Sequence, residues 1–246
     1  MSLSVIVITK NEAHSIEKCL ESVSWADEIV VVDSGSTDDT VRLCESKGAK
    51  VHVTDWPGFG MQKNRAIDLS TCDWVLSLDA DETVSPELKE EILGAISREE
   101  ADAYSLPRSS SYCGRFMRHG GWWPDRVVRL FRRGQARFSE DLVHEKLIVE
   151  GNVLTLSSPL IHVAFTDLEE VLEKIDRYST AGALMMAKRN KDSSLSKAIL
   201  HGFWSFFRTY FLKAGFLDGR EGFMLAVSNA EGTYYRYLKR MLMEKQ

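Results

Sequence analysis

The chain has 246 residues, of which 44% are hydrophobic and 27% charged; it is long enough to bury a full core and too apolar to be a disordered or fibrous polypeptide. Its net charge of -5 excludes a general nucleic-acid binder, because neutralising phosphates takes a basic surface. Cys19, Cys44, Cys72 and Cys113 are scattered, with no CxxC pair and no zinc spacing, and read as thiols of a reducing compartment.

The opening segment MSLSVIVITKNE has no basic leader and an apolar run of only about five residues, so Ser4 to Ile8 is expected to be a strand and not a signal peptide. Three further strands are expected at Glu28 to Val32, Lys50 to Val53 and Trp74 to Leu78. The first, second and fourth of the set are continuous apolar runs, the pattern of strands covered on both faces. Glu12 to Val23 reads as a helix with Ile16, Cys19, Leu20 and Val23 on its inner face, and Thr37 to Lys47 as a second helix with Val41 and Cys44 inward. Ser85 and Pro86 open another helix as N-cap and first-turn proline. Alternation of strand and helix in this order predicts a parallel sheet with crossover helices. After Tyr104, DRVVRLFRRG and EKLIVEG predict an antiparallel extension of that sheet. Thr166 and Glu169 have the spacing of a capping box for a long amphipathic helix. No internal repeat and no low-complexity linker interrupts the chain, and no run reaches the roughly 20 apolar residues of a membrane span.

Two strand ends are acidic. WVLSLDADE ends in Asp79, Asp81 and Glu82, and in an extended segment the two aspartates point the same way, so that both can face one divalent cation. Ligands of open α/β sheets bind outside the carboxyl ends of strands, and hard cations there are usually shared with phosphate, so a diphosphate is the expected ligand. IVVVDSGSTDDT ends a second buried strand in Asp33, which either caps the turn that follows or accepts hydrogen bonds from a base or ribose. Neither GxGxxG nor GxxxxGK[ST] follows the early strands, which disfavours a dinucleotide site and a P-loop.

Taken together, SVIVITKNE, VVVDSGSTDDT and WVLSLDADE resemble the family 2 glycosyltransferases of GT-A fold. GWWPDRVVRLFRRG, FSEDLVHEKL and FLKAGFLDGREGF resemble the bacterial subgroup that adds glucose to the inner core of lipopolysaccharide. The resemblance implies an α/β domain over residues 1–165, its nucleotide-sugar half in 1–100 and its acceptor side in 101–165, followed by a helical extension over 166–246. It implies a UDP-sugar donor, a divalent cation (Mg²⁺ or Mn²⁺) and direct, inverting attack by an acceptor hydroxyl. It puts Thr9 and Glu12 near the uridine, Asp33 on the uracil or ribose, and Lys63 and Asn64 over the nucleotide. Asp81 matches the principal metal ligand, with Asp79 on the ribose or a metal-bound water; Arg65 is expected on a solvated helix face. The general base is expected in FSEDLVHEKL, which offers Glu140, Asp141 and Glu145, Asp141 placed first. His144 is a third metal ligand, a diphosphate contact or a hydrogen-bonded histidine. Trp122, Trp123, Asp125 and Arg126 are candidates for an acceptor platform, and Arg126 and Arg129 for contacts to a diphosphate or an anionic acceptor.

The QxxRW signature of processive synthases is missing, which implies one sugar per encounter. The expected acceptor is a lipid-linked oligosaccharide at the cytoplasmic face of the inner membrane, with a protein or small molecule as the alternative. A sugar nucleotidyltransferase or a non-catalytic carbohydrate binder are the rival classes. HGFWSFFRTYFLKAGF, rich in aromatics and interrupted by Arg208 and Lys213, is either a core face or an amphipathic surface that lies on a membrane without crossing it.

Overall fold

The computed structural model describes residues 1–139 and 146–243. The chain divides into two compact units, one of residues 1–108 and 126–162, the other of residues 109–125 and 163–246.

The first unit alternates β1 (Leu3–Thr9), α1 (Ile16–Ser22), β2 (Glu28–Asp33), α2 (Thr40–Ser46), β3 (Lys50–Val53), α3 (Phe59–Leu69) and β4 (Trp74–Asp79). A short strand β5 (Glu82–Val84), α4 (Pro86–Arg98) and β6 (Ala103–Tyr112) follow. Strands β1, β2, β3 and β4 pair in parallel in the order β3-β2-β1-β4. The apolar runs of β1, β2 and β4 are buried almost throughout because helices cover both faces. One layer of core joins Val5, Val7, Leu76 and Leu78 to Ile16, Leu20, Leu88 and Ile92; the other joins Ile6, Val30, Val32 and Val75 to Ala66 and Ile67 of α3. Ser85 caps α4, its hydroxyl accepting the Leu88 amide at 3.2 Å, with Pro86 at the first helical position as expected. The helices α1 and α2 are shorter than their apolar pattern suggests, since turns occupy the residues before each.

The sheet goes on with antiparallel strands. After β7 (Arg115–Phe116), β8 (Asp125–Arg132) pairs with β4, Trp74 opposite Arg132 and Leu76 opposite Leu130. β9 (Ala136–Phe138) and β10 (Leu147–Val149) form a separate two-stranded sheet, so the strand of EKLIVEG pairs with its own neighbour and, contrary to expectation, does not extend the main sheet. β11 (Val153–Thr155) is the exception and pairs with β6 in parallel, while β12 (Leu160–Phe165) pairs antiparallel with β5, His162 opposite Glu82.

The second unit is built on α5 (Leu168–Lys188), α6 (Leu195–Phe207) and α7 (Gly219–Met243). The cap of α5 lies one residue beyond the expected position: Asp167 accepts the Glu170 amide at 2.9 Å and the Glu170 carboxylate accepts the Thr166 amide at 2.8 Å. The forward bond is that of a capping box with aspartate in the place of threonine, while the return bond goes to the amide of Thr166, one residue before the cap. Asp218, buried, accepts the Arg118 and His119 amides and faces His119 Nδ1 at 3.1 Å, which fixes the glycine-rich turn that follows His119.

One buried acid supports the first unit's base. Glu28, at the start of β2, faces Lys50 Nζ at 2.7 Å and accepts from the Ser4 hydroxyl and the Thr71 amide and hydroxyl. Burial alone would raise its pKa, but these donors outweigh it and bring the carboxyl down to about 2. A folded value below the unfolded one means stability that is present above the usual glutamate pKa of about 4.3 and is lost as pH falls toward the folded value. Glu28→Gln is expected to cost about 2 kcal/mol at pH 7, less than the full shift implies because the Lys50 ammonium is solvated. Urea unfolding of both proteins should show the difference shrinking steadily below about pH 4.

Candidate functional site

The register of the parallel strands brings three chain ends to one edge. Thr9 lies opposite Asp33, and Ile8 lies opposite Asp79. Strand order reverses between β1 and β4, so this edge includes the topological switch point of the sheet, where α/β sheets bind ligands.

Asp33 is buried and its carboxylate is spent locally. Oδ1 accepts the Gly35 and Ser36 amides at 2.9 and 2.7 Å, and Oδ2 accepts the Thr9 and Ser36 hydroxyls at 2.9 and 2.5 Å. These four bonds fill the acceptor sites of a carboxylate. Of the two roles open from the sequence, capping the turn is thus visible directly; Gly35 takes the positive φ of 79° that the turn requires. Gln62 on α3 donates to Ser34 and Thr54 and holds the same loop from the other side.

Asp79 and Asp81 face different groups: Lys63 and Arg129 for the first, His162 for the second. β4 ends at Asp79, and Ala80 and Asp81 form a turn into β5, so the extended geometry that would align the two carboxylates stops at the first of them. Asp79 meets Lys63 Nζ at 3.0 Å and Arg129 Nη2 at 2.5 Å, one cation on each oxygen. Glu82, fully buried, takes Arg129 Nη2 at 2.6 Å and Arg108 Nη1 at 3.3 Å, and its other oxygen accepts the Asp79 amide at 3.0 Å. Burial opposes the charge on Asp79, but Arg129 and Lys63 overcome it and hold the carboxyl well below its ordinary value. Burial likewise opposes the charge of Arg129, and Asp79 with Glu82 raises its pKa instead. Arg129, expected to meet a diphosphate or an anionic acceptor, is committed to these acids.

Asp81 faces His162. Its Oδ2 lies 3.2 Å from His162 Nε2 because β12 pairs with β5 and sets His162 opposite Glu82, next to the turn. Glu12, from the loop after β1, adds negative charge: burial first, then Asp81 and Asp38, raises its carboxyl against the Ser15 hydroxyl and His14. Negative charge that raises a neighbouring carboxyl, as here on Glu12, is the electrostatic environment a cation relieves. His162 was not foreseen. Its signal in the sequence is a single polar residue inside the apolar strand LIHVAF, and only the pairing of β12 with β5 connects it to Asp81.

Among the other expected residues, Lys63 is buried at the inner face of α3, with its ammonium also 5.2 Å from the Phe138 ring centroid. Asn64 binds the Phe138 backbone through both ends of its amide, each at 2.9 Å, and so ties α3 to β9. Arg65 pairs with Asp55 at 2.8 Å near the surface, in keeping with a solvated face. In the second unit Trp122 packs edge-on to Tyr112 and beside Phe165, while Trp123 stacks on the Arg118 guanidinium at 4.7 Å. Asp125 and Arg126 open β8, with Arg126 exposed. Glu140, Asp141, His144 and Glu145 lie outside the described residues.

The Asp81 and His162 pair fits a divalent cation. A carboxylate oxygen and an imidazole nitrogen 3.2 Å apart at a strand-end turn are a donor pair that could be shared by one such cation. Among the described residues no group of three or more His, Cys, Asp or Glu is placed to hold a metal, and Asp81 with His162 would give two ligands toward one.

Comparison with known proteins gives four findings. Residues 4–152 match the family model described as Glycosyl transferase family 2. The chain is similar to an uncharacterized glycosyltransferase of Rickettsia bellii, 32% identical over 96% of this chain and 85% of that one. It is also similar to the lipopolysaccharide core biosynthesis glycosyltransferase LpsC of Rhizobium meliloti, 31% identical over 94% and 88% of the two chains. The solved structure of S. aureus TarS 1-349 in complex with UDP-GlcNAc aligns over 100% of this chain and 93% of that one, with a TM-score of 0.53 at 17% identity, a likeness of fold.

Proposed function

The chain belongs to glycosyl transferase family 2, and we propose that it transfers glucose from UDP-glucose to a lipid-linked core oligosaccharide, with inversion, at the cytoplasmic face of a membrane. The observation that carries this reading is the Asp81–His162 pair at the switch-point edge of the sheet, beside the ends of β1, β2 and β4. A cation held there by Asp81 and His162 supplies Lewis-acid stabilisation of the negative charge that develops on a departing diphosphate. An imidazole nitrogen in the donor set favours Mn²⁺ over Mg²⁺, which prefers an all-oxygen shell.

The chain's own residues do the rest. Asp33, with its bonds to Thr9, Gly35 and Ser36, holds the two strand-end loops in one geometry against the uridine. Lys63 and Arg129 keep Asp79 ionised, so that this carboxylate can accept from a ribose hydroxyl without changing its proton count. The acceptor hydroxyl gives its proton to a base from the segment after β9, for which Asp141 is proposed ahead of Glu145. Similarity to LpsC over most of both chains supports a lipopolysaccharide-type acceptor.

The test is direct. The purified protein with Mn²⁺ is offered UDP-glucose, UDP-galactose, UDP-GlcNAc and other nucleotide sugars, and released nucleoside diphosphate is measured with and without a core oligosaccharide acceptor. UDP release from UDP-glucose, stimulated by acceptor, is expected. Release of pyrophosphate from UTP and a sugar 1-phosphate would instead assign a nucleotidyltransferase, and no turnover of any donor would leave a carbohydrate binder.

A further inference from the structure

Helix α6 is packed inside out. Its buried positions are the small ones, Ala198, Gly202 and Ser205, followed by Thr209 in the wide turn of Arg208–Leu212. They let α6 lie close on α7: a Cβ on Gly202 would come within 3.2 Å of the Tyr234 Cβ, and the Ser205 hydroxyl donates to the Asn229 carbonyl at 3.1 Å. The large apolar side chains are turned to solvent. Phe203 is 69% exposed, Leu200 66%, Leu212 60% and Trp204 53%, values normally found for lysines. Among the aromatic rings of the segment, Trp204 stacks on Phe207 at 5.9 Å and Phe207 lies 5.2 Å from Phe211, a row of three. An apolar surface of this extent is a docking surface and not scattered exposure.

The charge pattern chooses the occupant. From Ser193 to Leu217 the sequence contains Lys197, Arg208 and Lys213 and no acid, although the chain as a whole carries -5. Of the flanking acids, Asp192 pairs with Lys197 at 3.1 Å, Asp218 is buried against the backbone amides of Arg118 and His119, and Glu221 pairs with Arg220. A second copy seated symmetrically on this face would present the same acid-free segment and so no counter-charge for Arg208 and Lys213. An anionic bilayer has the opposite sign and accepts both parts of the pattern, aromatic rings in the acyl boundary and basic groups at headgroup level. No described helix is long and apolar enough to cross a membrane.

We infer that the outer face of α6 and the turn after it, from Leu200 to Leu217, is the surface by which this protein lies on an anionic lipid bilayer. It deepens the reading of the acceptor as lipid-linked, but the measurement needs no donor, acceptor or metal, so failure of either reading is seen separately from the other.

The test is co-sedimentation of the full chain with vesicles of phosphatidylglycerol and phosphatidylethanolamine, and with vesicles of phosphatidylcholine alone. Binding to the anionic vesicles is expected, at least about tenfold weaker on the neutral ones and weakened by about 0.5 M salt. Phe203→Ser with Trp204→Ser is expected to lower the partition coefficient by about 10- to 100-fold while the far-ultraviolet circular dichroism is kept. Arg208→Glu with Lys213→Glu leaves the aromatic row intact and is expected to remove the preference for anionic lipid, which keeps the test decisive if the aromatic variant unfolds. Absence of binding by the folded native chain would overturn the inference. So would unchanged preference in the charge variant, or a dimer at micromolar concentration that the aromatic substitutions dissociate.

Discussion

Asp81→Ala is expected to lower transfer by about 10²- to 10³-fold or more and to abolish the Mn²⁺ dependence of UDP binding, with the fold retained. Asp81 is half-exposed at a turn and carries no core packing, and its removal relieves the charge that raises Glu12. His162→Ala is expected to act in the same direction, because it removes the imidazole that would hold the cation beside Asp81. Calorimetry of UDP binding with and without Mn²⁺ separates this from loss of chemistry. Asp141→Asn, the contrasting variant, should keep metal-dependent UDP affinity and lose about 10²- to 10⁴-fold in turnover, the signature of a missing base. If Asp81→Ala binds UDP with full metal dependence, the cation is held elsewhere. If only His162→Ala does, His162 is a hydrogen-bond partner of Asp81 and not a ligand.

The largest effect on stability is expected at Arg129. Arg129→Met removes the cation shared by the fully buried Glu82 and the one-third exposed Asp79; removing one partner of a buried pair usually costs about 3 to 5 kcal/mol, and less where water reaches a partner. Lys63 still meets Asp79 and Arg108 still meets Glu82, so the lower end of that range is expected. The sign of the pH dependence follows from Asp79. Its folded pKa lies below the unfolded value, so its contribution is complete above the usual aspartate pKa of about 3.9 and is lost as pH falls through the folded value. In the variant that depression is reduced. The gap between the two proteins should be widest near neutrality and narrow in acid, read as midpoints of urea unfolding with an unchanged slope. A gap below about 1 kcal/mol at pH 7 would show that the cluster is solvated enough to do without the arginine.

Much of the scaffold was legible from local pattern. The apolar runs of β1, β2 and β4 announce strands covered on both faces, because burial of both sides of a strand removes the alternation that a half-exposed strand shows. Ser85 and Pro86 announce the start of α4, because capping is a bond between neighbours in sequence. The acids at strand ends and the family resemblance follow from the same short stretches, and the match over residues 4–152 agrees with them.

What the acids touch was decided only by tertiary structure. Asp79 is ionised by Arg129, 50 residues further on, because β8 runs antiparallel beside β4, and by Lys63, which faces inward although its neighbour Arg65 is near the surface. Asp81 reaches His162 across 81 residues through the pairing of β5 with β12. Such contacts leave no period in the sequence, since strand pairing joins residues by register and not by separation. The aromatic segment of α6 shows the converse. Its periodicity marks two faces correctly, but which of them is buried depends on the neighbour: α7 admits the helix closely only through Ala198, Gly202 and Ser205, and that contact turns the rings outward.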